Sequence, residues 1–448
     1  MGKMVVSRRD MLRLITSAVL SPAAISARSN LALAATTAQS TPFDYKRFRG
    51  QTIFASWSKH PFTDSITAYF GEFEELTGIK VESEVVPEQQ QRQKNVIQLS
   101  ARSSQIDVWE SATGVEKRQF FKAGWYQSIA GFLKDPSLVL PDFDPDDIGK
   151  GAWELATQPD GSISGLPLQI PSIILAYRKD LFDAKGLKLE SLDDLEHAAK
   201  VLHDPPRMYG FVNRGLKNAN VSTFSALLYN FGASYLDANR KLAMTTPQAV
   251  KALDYYARLL RNYGPPGVAG FNWYECQTMF LQGQSAIWID GNDLLAVADD
   301  PKKSKVAGKV GYMIVPKGPG GRFCPISGLL VAINPYSKKK EARFLFNQWA
   351  VSKKNQVRAL LAGAPVARNS AWADAEFLGK TTLPKAWIEA VKEAPKAARP
   401  YLPEIVPVTQ FRDIFGVAIT KAIEGDDPEK VLKAAQAEFE PIYADSEK

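Results

Sequence analysis

The sequence predicts an α/β protein built on a mostly parallel sheet, and three observations carry that expectation. A strand-like segment, "QTIFASW" (51–57), is followed in turn by a helical pattern, a strand, a helix and a third strand. Alternation of this kind implies βαβ units and parallel pairing. At 448 residues the chain exceeds one small core and implies two domains or one large one. Its 45% hydrophobic and 23% charged content are those of an ordinary globular protein.

The elements run in order along the chain. Gly50 bounds the first strand, which is β-rich. Ile66, Tyr69, Phe70, Phe73 and Leu76 recur at helical spacing, and Gly78 ends that helix. "IKVESEVVP" (79–87) reads as the second strand, "QRQKNVIQLSARS" (91–103) as the second helix and "QIDVWES" (105–111) as the third strand. Ligands of open α/β sheets sit beyond the carboxyl ends of the strands. Those ends carry Trp57, His60, Trp109 and Glu110, which form a candidate rim.

After the Pro/Asp-rich loop at 135–147 comes "GLPLQIPSIILAYRKDLF" (165–182). Pro167 and Pro171 argue against a central strand, because each removes a ladder donor. Helices are expected at 191–202, with Ser191 as N-cap and Asp194 completing a capping box, at 224–232, and at 246–264 with Thr246 before Pro247. Residues 273–293 read as a helix running into the strand "SAIWIDG", and 310–316 and 328–334 as further strands. Two amphipathic helices, near 340–352 and 428–443, complete the chain.

Residues 1–34 read as a targeting peptide: a charged "SRRDMLR", a short apolar "LITSAVLSPAAI" and a small-residue "ALA" site. Ser7-Arg8-Arg9-Asp10-Met11-Leu12 resembles a twin-arginine export signal, with Met11 where Phe is commoner. Pro22, Arg28 and Asn30 interrupt the apolar run well short of a membrane span, which needs about 20 residues. No cysteine follows the cleavage site to take a lipid anchor. Without this segment the 55 basic and 48 acidic side chains fall to 50 and 47, a net charge of +3 that gives no support for nucleic-acid or anionic-membrane binding. Two cysteines, Cys276 and Cys324, fit either a disulfide or two buried thiols.

Five motifs occur in order: "GLPLQIPSIILAYRKDLFDAKGL", "FLQGQSAIWIDG", "VGYMIVPKGPGG" before "SGLLVAIN", "GAPVARNSAW" and "AITKAIEGDDPEKVLKAAQAEFEPI". Through them the chain, from about Gln51 to Tyr443, resembles the family 1 extracellular solute-binding proteins of ABC importers, the group that includes maltose-binding protein. The resemblance implies a two-lobed periplasmic-binding-protein type II fold, each lobe a mostly parallel sheet flanked by helices. Lobe one is then 43–168 and 328–364, and lobe two 169–327 and 365–448. Hinge crossovers at "LPLQIPS", "SGLLVAIN" and "GAPVARN" join them, and the prolines stiffen the first. The implied function is capture of a carbohydrate in the cleft by a monomer and delivery to a two-subunit permease, with no cofactor and no metal. A non-sugar solute such as an anion, metal complex or polyamine is the alternative on the same fold.

Sugars have polar edges and weakly apolar faces, so a cleft for them needs aromatic platforms beside planar donors and acceptors. The resemblance places Trp57, Trp109, Trp273 and Trp288 at cleft positions, with Ser58, His60, Glu110, Gln169, Pro171, Ser172, Asn218, Asp290, Asn292, Ser327, Gly328 and Arg368 around them. Trp57 and Trp273 lie at element ends, which favours a site role. Trp288, inside an alternating strand, fits a core position equally well, and Asn218 fits a turn. His197 and His203 are six apart, a poor match for metal ligation on one helical face. No HExxH, P-loop or strand-borne GxGxxG occurs. Glu110 and Asp290 could form a glycosidase pair across the cleft, but hydroxyl acceptance is the simpler role for them.

Overall fold

The computed structural model describes residues 43–446, so the export signal expected over 1–34 lies outside the described residues. Ten strands occur among them: β1 (Thr52–Ser58), β2 (Lys80–Val86), β3 (Val108–Ala112), β4 (Gly165–Gln169), β5 (Ile173–Arg178), β6 (Ile287–Gly291), β7 (Val310–Ile314), β8 (Cys324–Ile326), β9 (Leu329–Ile333) and β10 (Ala398–Pro400). A five-stranded sheet has the order β2-β1-β3-β9-β4, a three-stranded sheet the order β6-β5-β7, and β10 pairs with β8. Helices cover both sheets.

The parallel expectation holds for β2-β1-β3 in the first sheet and for the short β8–β10 pair. In the first sheet β9 runs antiparallel to both β3 and β4. In the second, β5 is antiparallel to both β6 and β7, which corrects the expectation of a mostly parallel sheet in each lobe. Parallel contact survives there only as single bridges from Tyr209 and Val212 to the β6 region. The antiparallel partners are segments more than a hundred residues apart in sequence, outside the reach of local strand–helix alternation.

Both faces of the second sheet are covered. Ile173 and Leu175 of β5 pack in a core with the helices Leu192–Leu202, Asn220–Asn230, Pro247–Tyr263 and Val408–Glu424. Ile174 and Ala176 pack on the opposite side with Phe280, Tyr312 and Trp387. Side chains alternate faces along a strand, so a strand covered twice reads as an unbroken apolar run, and "IILA" is one. The first sheet has its own core, built from Ile53, Ala55, Leu166, Val331 and the helices Lys340–Ala350 and Lys353–Leu361.

The proline-bearing stretch divides between the sheets. Pro167 sits in β4, an edge strand whose register with β9 shifts at that point, so the missing donor breaks no central ladder. The chain then crosses through Ile170, Pro171 and Ser172 into β5. Beside it the return path is bonded on both sides: the Ser327 N–H donates to the Pro171 carbonyl (2.9 Å), and the Ile326 carbonyl accepts the Tyr401 N–H (3.0 Å). The handover to the second lobe expected at residue 365 falls later. Val366, Ala367, Ala371 and Phe377 still pack in the first core, whereas Trp387 packs against the second sheet.

Local signals behave as their chemistry requires. Ser191 and Asp194 form a reciprocal capping box, and Thr246 caps the helix Pro247–Tyr263. Gly78 adopts a left-handed φ of 68° at the end of the helix Phe70–Thr77. The helix expected across Ile66–Leu76 is two pieces, Pro61–Thr67 and Phe70–Thr77, broken at Ala68 and Tyr69.

Candidate functional site

A cavity of about 130 Å³ lies between the two sheet layers. From the first layer it is lined by Ser58 at the end of β1, His60 just after it, Glu110 of β3, and Glu88 and Arg92 in the first turns of the helix Glu88–Ser100. From the second come Arg214, Asp293 after β6, and Trp273 and Tyr274 at the start of the helix Trp273–Leu281. Pro171, Ser327 and Tyr401 close it at the crossovers. The carboxyl ends of the first-layer strands and the starts of helices face this space, as open α/β sheets place their ligands.

One contact joins the layers across the cavity: His60 Nε2 lies 2.6 Å from Asp293 Oδ2. Burial alone lowers the His60 pKa, but the hydrogen bond and charge of Asp293, with Glu110 and Glu88 nearby, raise it to about 9. His60 is therefore an imidazolium at neutral pH. Asp293 responds in the opposite sense: burial raises its pKa, and His60 brings it below the usual carboxylate value. Gly291 makes room for this carboxylate, since a Cβ there would stand 2.5 Å from Asp293 Oδ1.

The remaining charges are paired within their own layer. Arg92 donates to Glu88 (2.6 Å) and to Glu116 (3.3 Å), and Glu116 also accepts the Ser111 hydroxyl at 2.7 Å. Burial raises the Glu88 pKa, but Arg92 and Arg412 outweigh it and bring the value to about 2. Arg214 grips the fully buried Asp290 with two donors, Nε at 2.9 Å and Nη2. Glu110 differs. Its donors are the hydroxyls of Ser58 (3.0 and 3.1 Å) and Thr63 (3.5 Å) and the Ser58 backbone, and burial raises its pKa. It is a buried acceptor with capacity left for donors from a guest.

Six of the expected site residues meet at this cavity: Ser58, His60, Glu110, Pro171, Trp273 and Ser327. Three of the four tryptophans correct the expectation. Trp57 shares the face of Ile53 and Ala55 and is fully buried beside Phe62. Trp109 is fully buried and stacks on Tyr126 at 5.7 Å. Trp288 is fully buried against Phe280 at 5.9 Å. Alternation along each strand turns these rings into cores while the next residue, Ser58 after Trp57 or Glu110 after Trp109, reaches the cavity.

The other seven support the site from behind or lie elsewhere. Asp290 holds Arg214 rather than facing the cavity. Asn292 Oδ1 accepts the Ser172 and Asp293 N–H groups (3.2 and 3.0 Å), tying the first crossover to β6. Gly328 exchanges bonds with Thr113 at the second crossover. Arg368 is buried away from the cavity, donating to the Val351 and Asp144 carbonyls and to Asp147. Asn218 is a turn residue, φ 72°, whose amide donates to Asp413. Gln169 is buried at the end of β4, with neither amide atom bonded to another protein group.

The residues not anticipated are chiefly Glu88, Arg92, Arg214, Asp293 and Tyr401. Glu88 and Arg92 had a readable signal, because they open the helix after β2 at i,i+4 spacing. Arg214 and Tyr401 stand in irregular segments with no local signature. Cys276 and Cys324 are unbonded buried thiols, and burial pushes the Cys324 thiol up to about 12. Among the described residues no helix is long and apolar enough to cross a membrane, and no His/Cys/Asp/Glu group is arranged to hold a metal ion.

Two sheet layers joined by paired crossovers, with a polar cavity between them, define a two-lobed binding protein. The chain belongs to the bacterial extracellular solute-binding proteins, whose family model matches residues 59–357. Similar solved structures include solute-binding proteins of ABC transporters. The chain is 25% identical over 377 residues to the mannitol-binding protein of Pseudomonas aeruginosa, covering 79% of this chain and 84% of that one. It is 25% identical over 387 residues to the erythritol/L-threitol-binding protein of Mycolicibacterium smegmatis, covering 80% of each. Among solved structures, a solute-binding protein from Agrobacterium radiobacter K84 in complex with ribitol superimposes with a TM-score of 0.80 at 26% identity, over 90% of this chain and all of that one.

Proposed function

We propose that the exported protein captures a small polyhydroxylated solute, an open-chain polyol or a single sugar unit, in this cavity and presents it to an ABC permease. The observation that carries the reading is the cavity itself: about 130 Å³ ringed by carboxylates, guanidinium groups and one Trp/Tyr pair. Planar charged groups suit dense hydroxyls, and the volume is close to that of cavities that admit one benzene ring, ~150 Å³. A space of this size favours a small solute over an oligosaccharide. Polyols are the ligands named for the similar proteins.

Capture works by closure. Ligand shifts an open–closed equilibrium because only the closed form touches it from both lobes. The paired crossovers at Pro171 and Ser327 are the proposed hinge, and the His60–Asp293 contact belongs to the closed form. Residues 1–34 direct export to the periplasm, and the mature chain acts as a monomer. Calorimetric titration with D-mannitol, ribitol, erythritol and maltose tests the reading. At least one polyol is expected to bind and maltose is not. Binding of maltose with no response to any polyol would contradict it.

A further inference from the structure

The charge pairing inside the cavity points to the kind of polyhydroxylated solute it accepts. Four lining groups carry positive charge: His60, Arg92, Arg214 and Lys59. The first three are engaged by protein carboxylates. His60 holds Asp293 at 2.6 Å, Arg92 holds Glu88 and Glu116 at 2.6 and 3.3 Å, and Arg214 holds Asp290 through two donors. Lys59 is exposed, and an exposed ammonium is strongly hydrated and screened. The acceptor side is not balanced in the same way. Glu110 is 5% exposed, lines the cavity and is bonded by the Ser58 and Thr63 hydroxyls and the Ser58 backbone, with no ion pair to an arginine or lysine among the described residues.

Recognition of an acid needs a cation free to pair with it, and a bidentate guanidinium is the usual means. Here the buried guanidiniums lining the cavity are already committed. A guest carboxylate would lie beside Glu110 and Glu88, where the charges of His60, Arg92 and Arg214 are already matched by protein carboxylates and only the His60 Nδ1 stays open as a buried donor, and like charges at close range in a low-dielectric site repel. Hydroxyl groups suit the same surroundings, since they donate to Glu110 and accept from the edges of the arginines.

We propose that this site is selective for uncharged polyols and refuses the corresponding sugar acids, and that Glu110 is the specificity-determining residue. The proposal rests on the polyol reading above and deepens it. Replacing one terminal CH2OH of the guest by a carboxylate is the smallest change that tests it.

D-Mannitol and D-mannonate, with ribitol and D-ribonate as a second pair, are titrated into the wild-type chain, Glu110→Gln and Lys59→Gln. In each pair that binds, the wild type is expected to bind the acid at least about tenfold more weakly than the polyol. Glu110→Gln keeps the shape of the side chain and removes its charge, so it is expected to narrow that ratio by about tenfold while weakening the polyol. Lys59→Gln is expected to leave the ratio as it is. Melting temperatures of the three ligand-free chains, expected to agree within a few degrees, separate binding losses from folding losses. Equal affinity for polyol and acid in the wild type overturns the selectivity while leaving the polyol reading intact. An unchanged ratio in a folded Glu110→Gln chain overturns the role of Glu110. Failure of all four compounds to bind, with erythritol silent as well, overturns the polyol reading and this proposal with it.

Discussion

Trp57 and Trp273 each stand at the edge of a secondary-structure element, one at the penultimate residue of β1 and one at the first position of the helix Trp273–Leu281, yet they have opposite fates. Trp57 is fully buried in the first core. Trp273 is partly exposed, lines the cavity and stacks on Tyr274 with ring centroids 3.4 Å apart. The difference comes from the type of element that carries each ring. A strand sends neighbouring side chains to opposite faces, so with Ile53 and Ala55 already in the core Trp57 joins them, and Ser58 takes the open side. The first turn of a helix has no preceding turn to cover it, so Trp273 stays accessible beside Asn272, whose side chain caps the same helix.

The largest effect that sharpens this comparison is on folding. Trp57→Ala is expected to lose about 3–5 kcal/mol of stability in urea unfolding, as buried large-to-small changes do. The chain that remains folded should bind its solute normally. An apo stability close to wild type would return Trp57 to the cleft.

Trp273→Ala is expected to lose little stability and about 2 kcal/mol of binding, or more than tenfold in Kd. A variant that melts far below wild type while binding normally would make Trp273 a core residue after all.

The same comparison shows how far the sequence was legible. Strand β1 and the capping box at Ser191 and Asp194 rest on local chemistry and stand where that chemistry puts them, whereas the crossover at Pro167–Pro171 came from the family resemblance. The cavity was half legible. Ser58, His60 and Glu110 follow from the rule that ligands gather at the carboxyl ends of strands. Trp109 and Trp288 misled because residue type suggests a sugar platform, whereas the face a ring takes depends on which side of the sheet is covered. Arg214 and Tyr401 arrive from segments far away in sequence, and only tertiary packing brings them in.

A smaller effect concerns pH. His60 has a pKa of about 9 when it holds Asp293, against an ordinary value near 6.5 when released. The closed form gains fully from this contact below about pH 6.5 and loses the gain as pH rises through 9. Solute affinity of the wild type should therefore weaken by at least about tenfold between pH 7 and pH 10. His60→Gln should be weaker at pH 7 and nearly flat over that range. A wild-type profile as flat as that of the variant would remove the His60–Asp293 pair from closure.

The smallest effect is on the thiols. Cys276 and Cys324 are fully buried, so the folded chain should give almost no reaction with a thiol reagent, and the denatured, unreduced chain two thiols. Absence of reactive thiols after denaturation would show a disulfide.

The central claim is that the cavity between the lobes holds the solute. A crystal structure of the mature chain grown with D-mannitol, or with ribitol if that binds more tightly, tests it most directly. The expected result is one polyol enclosed between the lobes, a hydroxyl within hydrogen-bond distance of Glu110 and its carbons against Trp273. A polyol bound elsewhere on the protein, with the space between His60, Glu110 and Trp273 left to water, would contradict the account.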